Sequence, residues 1–212
     1  NDYITLYITA GFGRLRHLGV DCNVEPVFRA LARLDGWIHK EYRRILKDGR
    51  KDRANLSSTI ALYLYARTFF LKERAVAEEH RDAFDYFVAQ AEAHWVEAVG
   101  RQSQGHLALA LARLGKAEAA AAILRSLKER AVSDPLLGMH WRDAERSWWW
   151  YRAPIETQAV MIEAFQEVGK DAAAVAEQQV WLLSQKRTQS WPSTKATADA
   201  VYALLLRGAD LL

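Results

Sequence analysis

The chain has 212 residues, of which 50% are hydrophobic and 26% are charged. This balance is typical of a folded globular domain and unlike that of a disordered or membrane-spanning chain. Its 29 basic and 26 acidic side chains leave a net charge of only +3 and are interspersed along the sequence, which argues against a basic nucleic-acid-binding stripe. The single cysteine, Cys22, excludes an internal disulfide and a multi-cysteine metal site.

Two helices are predicted in the N-terminal part. The first spans about Tyr3 to Leu18, and Gly11 and Gly13 are expected to allow close approach of a neighbour. The apolar side chains expected on its core face are Ile4, Ile8, Leu15 and Leu18. The second spans about Val24 to Leu46, with Pro26 in its first turn. Its predicted apolar face consists of Val27, Leu31, Leu34, Ile38, Tyr42 and Ile45.

The next segments alternate between two kinds of helix. The segment from Thr59 to Leu71 is apolar almost all round and is expected to be buried, with Ser57 or Ser58 as its cap. The segment from about His80 to Val99 is apolar on one face only. Gln104 to Leu114 is again apolar nearly throughout, and Lys116 to Arg130 is one-faced.

Three further helices are predicted after a tryptophan-rich connection. They span Ile155 to Val168, Asp171 to Gln185 and Thr194 to Leu206. Glu156 and Thr157, and the serines and threonines around Thr194, are expected to cap the first and last of these helices. No β-hairpin signal is found in the sequence.

Helices that are apolar all round therefore alternate with one-faced helices, with a period of about 40 to 50 residues. An inner helix contacts neighbours on several sides, whereas an outer helix covers it with one stripe. The pattern predicts a single all-α domain over residues 1–212, built of stacked helical hairpins. The hairpins would close into an α/α toroid of the terpenoid cyclase and prenyltransferase type, or open into a solenoid.

Three strings resemble the thioester-type helical domain of bacterial alpha-2-macroglobulin-like proteins, an α/α toroid. They are YITLYITAGFGRL (residues 3–15), IETQA (155–159) and WLLSQKRTQSWPSTKAT (181–197), and the last is the most specific. The family's thioester joins a cysteine and a glutamine in a Cys-Gly-Glu-Gln type motif. This chain lacks that motif, since the residues that follow Cys22 are Asn23, Val24, Glu25 and Pro26.

The resemblance implies a domain of a large multi-domain bacterial protein that traps proteases, in the periplasm or as a surface lipoprotein. Its partners would be neighbouring domains of the same protein and proteases, with no nucleic acid and no membrane insertion by this domain. About five inner and four outer helices are predicted, fewer than a complete toroid of this family has. The first residues lack the features of a signal peptide. We therefore expect a fragment of a longer protein, in which either a partner segment covers an exposed apolar wall or the toroid is incomplete.

The tryptophan-rich connection holds the candidate ligand or interface residues. Trp141, Trp148, Trp149 and Trp150 would either stack on a sugar or peptide, or be buried and fix a long loop on the toroid. Glu156 is a further candidate. With Asp143 and Glu145 it would form the carboxylate pair of a glycan-processing toroid enzyme, or these three would be ion-paired structural residues.

No catalytic, cofactor or metal site is predicted. The six histidines show no His-x-x-x-His spacing, so converging zinc ligands are not expected. His106 and His140 match no motif that would give them the acyl-transfer role of a histidine in some thioester-containing relatives. Besides the protease-trapping domain, two hypotheses stay open: a glycan-processing toroid enzyme, and a solenoid-like protein interaction module.

Overall fold

The computed structural model describes residues 1–98, 100–142, 153–188 and 191–206. These residues are mostly helical, which confirms the predicted all-α class. Within them are nine α-helices: α1 (Asp2–His17), α2 (Glu25–Lys47), α3 (Ser58–Thr68), α4 (Glu78–Ala98), α5 (Arg101–Arg113), α6 (Ala117–Glu129), α7 (Pro154–Ala164), α8 (Ala172–Thr188) and α9 (Thr194–Leu205). Each corresponds to a predicted helix, with ends that differ by a few residues.

The odd-numbered helices form the interior of the fold. Helix α1 packs against α3, α3 against α5, α5 against α7, and α7 against α9. The central three are buried along most of their length, from Ile60 to Arg67 in α3, from Gln102 to Leu111 in α5 and from Ile155 to Ala164 in α7. The prediction that helices apolar on all sides are inner helices is confirmed for these three.

The even-numbered helices cover the interior with one apolar stripe each. In α2 the buried stripe is Val27, Leu31, Leu34, Ile38 and Ile45, as predicted, while Tyr42 is only partly buried. In α4 it includes Phe84, Phe87, Val88 and Ala91. The remaining face of such a helix is charged and contacts water. None of the described helices is both long enough and apolar enough to cross a membrane.

Helix α1 turns a different face toward the core from the one that was predicted. Ile4, Ile8 and Leu15 are 52%, 52% and 42% exposed, whereas Gly13 and Arg14 are buried. The helix is turned this way because a Cβ at Gly13 would lie 2.4 Å from ring carbons of Phe69, and because Arg14 has buried partners described below. The predicted close approach is confirmed at Gly13 and is wrong at Gly11, which would contact nothing within 4 Å.

An open apolar groove runs between α1 and α9. Its volume is about 390 Å³. Its apolar walls include Ile8, Leu15, Val201 and Leu205, which are all at least partly exposed. The apolar face of α1 that was expected to be buried therefore forms one side of this groove.

A short β-hairpin follows α6, although no β-hairpin was predicted. Strands β1 (Val132–Asp134) and β2 (Gly138–His140) pair antiparallel. The turn is held by the Asp134 carboxylate, whose Oδ1 accepts hydrogen bonds from the backbone N–H groups of Leu136 and Leu137 at 2.8 and 2.9 Å. Gly138 has a φ of +76°, which an L side chain rarely adopts. Asp134 and Gly138, on either side of a three-residue turn, are the sequence signal for a hairpin that was missed.

The helix ends confirm two predicted caps and correct a third. Ser57 and Ser193 accept hydrogen bonds from the N–H groups of Ile60 and Ala196 at 3.2 and 3.1 Å, as expected for N-caps. Helix α7 instead begins after Ala153 with no side-chain cap. Glu156 and Thr157 lie inside its first turn and are buried there. The predicted capping role of these two residues is therefore wrong.

Candidate functional site

A network of buried charged side chains joins the inner helices. Glu163 of α7, only 1% exposed, accepts a hydrogen bond from Arg113 of α5 at 2.8 Å. Arg113 also binds both carboxylate oxygens of Glu167, at 2.8 and 2.5 Å. Arg14 of α1 donates to Asp199 of α9 at 2.5 Å. The pairs formed by Glu163 and Asp199 are buried, and buried charges need such partners because removal from water is costly.

Two buried tyrosines complete the coordination of Glu163. Tyr65 of α3 donates to it at 2.6 Å and Tyr202 of α9 at 3.0 Å. Tyr65 in turn accepts a hydrogen bond from Arg14 at 2.9 Å. Burial raises the pKa of both phenols above the usual range, so both remain protonated and donate. All five inner helices thus contribute a side chain to one continuous network.

A second part of the network lies toward the N-terminal ends of α7 and α9. Lys195 is 3.1 Å from Glu156 and 3.2 Å from Asp199, and its ammonium lies 5.2 Å from the ring centroid of Tyr7. Tyr7 donates to Asp199 at 3.3 Å. Burial, together with the charges of Asp199 and Glu156, raises the pKa of Tyr3 to about 12. This part of the network connects α1, α7 and α9.

His106 lies inside the same network but is not ion-paired. Its ring is 4.8 Å from that of Tyr65. Burial, with the positive charges of Arg14 and Lys195, lowers the pKa of His106 well below its usual value. The imidazole is therefore neutral, and its Nδ1 has no hydrogen-bond partner among the described residues. A neutral, enclosed histidine of this kind is a core residue unless a substrate reaches it.

Unpartnered polar atoms are concentrated where α5 and α7 begin. The side-chain oxygens of Gln102, Ser103, Gln104 and Thr157 are buried and have no hydrogen-bond partner among the described residues. The adjacent cavity, lined by Tyr3, Lys195 and Gln102 among others, has room for about one water molecule. We call this region, together with Lys195 and Glu156, the polar end. Unsatisfied buried groups of this kind are costly, so the polar end is suited to a polar partner.

The candidate residues of the tryptophan-rich connection do not form an open site in the part that the structure describes. Trp141 is buried, and its Nε1 donates to the backbone oxygen of Leu127 at 2.9 Å. Trp148, Trp149 and Trp150 lie outside the described residues, as do Asp143 and Glu145. Glu156 is buried, 6% exposed, and ion-paired with Lys195 at 3.1 Å. His140 is also buried and stacks on Trp181, with ring centroids 5.7 Å apart.

Sequence reasoning named Glu156 but missed the other charged members of the network. Glu163 and Arg113 lie inside segments that are apolar on most sides, and a charge in such a segment has to be buried with a partner. That signal could have found both residues. Arg14 and Asp199 gave no comparable signal, because their helices carry other polar residues on several faces.

Comparison with known protein families and with characterised proteins gives no match to this sequence. Among the described residues, no group of three or more histidine, cysteine or acidic side chains is placed to hold a metal ion.

Proposed function

We propose that this chain is the helical domain of an alpha-2-macroglobulin-like protein that traps proteases, and that its inner helices belong to an incomplete α/α toroid. The domain acts as a scaffold and carries no thioester motif of its own. Its parent protein is a bacterial cell-envelope protein, either periplasmic or a surface lipoprotein.

One observation carries the proposal. The three strings that resemble this family are far apart in the sequence, yet each contributes a residue to the same cluster. Tyr7 comes from the first string, Glu156 from the second and Lys195 from the third. Lys195 contacts the other two, at 3.1 Å to the Glu156 carboxylate and 5.2 Å to the Tyr7 ring centroid. A resemblance confined to segments that meet in space favours a shared fold over chance similarity of helices.

The relation of the first helix to the last supports a ring over an open superhelix. Tyr7 and Arg14 of α1 both contact Asp199 of α9, at the opposite end of the chain. In an open solenoid each repeat contacts only its neighbours, so the first and last helices would be far apart. The apolar groove between α1 and α9 supports the incompleteness of the ring, because it leaves Ile8 and Leu205 exposed where a further segment would cover them.

The polar end supports contact with another domain. The side chain of Lys195 is 21% exposed there, so its ammonium can donate to an acceptor on a neighbouring domain of the same protein. A scaffold of this kind needs no cofactor and performs no catalysis. The trapped protease would contact the whole parent protein.

A trapping assay on the full-length parent protein tests the proposal. A trap encloses the protease without blocking its active site, so cleavage of a large protein such as casein should fall while cleavage of a short chromogenic peptide persists. Loss of both activities would indicate an ordinary active-site inhibitor, and loss of neither would refute trapping.

Two further measurements separate the alternatives. Release of one thiol by methylamine would indicate a thioester elsewhere in the parent, whereas no release would indicate a non-covalent trap. Turnover of any member of an oligosaccharide panel by the isolated chain would favour the glycan-processing hypothesis instead.

A further inference from the structure

A second cavity lies away from the charged network, where α2 and α4 begin and α3 ends. Its volume is about 450 Å³, within the range of small-molecule sites. Three arginines line it, namely Arg29 of α2, Arg67 of α3 and Arg74 of the α3–α4 connection. We call it the arginine pocket.

Arg67 forms the buried side of the arginine pocket. Its side chain is only 1% exposed and pairs with Asp35, with Nε to Oδ1 at 3.0 Å and Nη2 to Oδ2 at 3.2 Å. Tyr63 also donates to Asp35, at 2.8 Å. Asp35 therefore engages one edge of the guanidinium, while Nη1 has no hydrogen-bond partner among the described residues. A buried charged group with unsatisfied N–H donors indicates a missing acceptor.

The other two arginines of the pocket add positive charge and form no close ion pair among the described residues. Neither Arg29 nor Arg74 has a carboxylate within 4.0 Å among the described residues. The Arg74 guanidinium lies 5.2 Å from the ring centroid of Phe28. Because α2 and α4 both begin at this pocket, their N-terminal dipole ends add to the positive potential.

Two acidic residues and an apolar wall narrow the choice of ligand. Glu25 and Glu79 also line the pocket and are exposed, and with Asp35 they balance the three arginines. A multiply charged anion is therefore disfavoured, while one negative charge near the arginines is accommodated. Phe28 and Leu31 supply apolar surface beside them.

We propose that the arginine pocket binds a small monocarboxylic acid with an apolar body. The carboxylate engages Arg29 and Arg74 on entering and completes the coordination of Arg67, while the apolar body packs on Phe28. Since Nη1 of Arg67 has less than 1 Å² of exposed surface, the carboxylate displaces the side chains that now cover it.

Calorimetric titration of the 212-residue chain tests this with three probes. N-acetyl-leucine carries the carboxylate and an apolar body, N-acetylleucinamide carries the same body without the charge, and inorganic phosphate carries charge without the body. N-acetyl-leucine should bind with a Kd of about 1 mM or lower, at least tenfold more tightly than either of the other two.

A pair of double variants locates the site. Arg29→Gln with Arg74→Gln should weaken N-acetyl-leucine binding at least tenfold. The control is Lys40→Gln with Arg43→Gln, which removes two exposed charges from α2, the helix of Arg29, at positions outside the pocket lining. This variant should leave binding of N-acetyl-leucine unchanged. All four positions are exposed, so both proteins should fold, which circular dichroism verifies. Equal binding of acid and amide, equal binding of phosphate, equal effects of the two double variants, or no binding at all would each overturn the proposal.

Discussion

Replacement of Glu163 by glutamine is expected to destabilise the fold strongly. The wild-type carboxylate is 1% exposed and accepts hydrogen bonds from Tyr65, Arg113 and Tyr202 at 2.6, 2.8 and 3.0 Å. Glutamine keeps the size of the side chain but removes the charge that compensates Arg113 and, at 4.0 Å, Arg14. Breaking a buried ion pair from one side costs about 3–5 kcal/mol, which corresponds to a fall in Tm of about 6–20 °C for a chain of this size.

The matched control is Glu167→Gln, which removes another carboxylate from the same arginine. Its side chain is 28% exposed, so water compensates Arg113 in part and the expected loss is less than about 1 kcal/mol. Urea unfolding followed by far-UV circular dichroism measures both variants. Two results would contradict the reasoning: a loss below about 1 kcal/mol for Glu163→Gln, or equal losses for the two variants. Either would mean that burial does not set the strength of this network.

Three further changes test other parts of the structure. His106 stays neutral in the folded chain, whereas the unfolded chain takes up a proton below about pH 6.5. The free energy of unfolding of the wild type should therefore fall by about 1.4 kcal/mol between pH 7.5 and pH 5.5. Urea unfolding of the His106→Gln variant should not show this loss. Gly13→Ala should lower stability by about 1–3 kcal/mol, since its Cβ would lie 2.4 Å from an aromatic ring, whereas Gly11→Ala should raise it by about 0.5–1 kcal/mol. Trp141→Phe, which loses one buried hydrogen bond, should cost about 1 kcal/mol in the same assay.

Helix number, order and burial were predictable because they depend on side-chain periodicity. Segments that are apolar on most sides, such as Gln104 to Leu114, can only be stable where neighbours surround them. One-faced segments such as Val24 to Leu46 need only one neighbour. The pattern therefore distinguishes inner from outer helices without any knowledge of their partners.

The orientation of α1 was not predictable from periodicity. Its apolar side chains Ile4, Ile8 and Leu15 suggested a core face, but the helix instead directs Gly13 and Arg14 inward. Two contacts decide this, the approach of the Phe69 ring and the ion pair with Asp199. Both depend on residues far along the chain, so a local pattern contains no information about them. Asp199 was missed for the same reason, whereas Glu163 and Arg113 could have been found as charged residues inside segments that are apolar on most sides.

The exposed apolar side and buried polar side of α1 have a common explanation in the charged network. Apolar contacts alone would fix neither the order nor the register of five similar inner helices, since apolar surfaces attract each other without direction. Arg14 donates hydrogen bonds to Tyr65 and Asp199, and because these bonds depend on direction and distance they fix the position of α1 between α3 and α9. Turning Arg14 inward turns Ile8 outward, which leaves the groove beside α9 exposed. The same ion pair that joins the first helix to the last therefore also creates the apolar surface on which a further segment can pack.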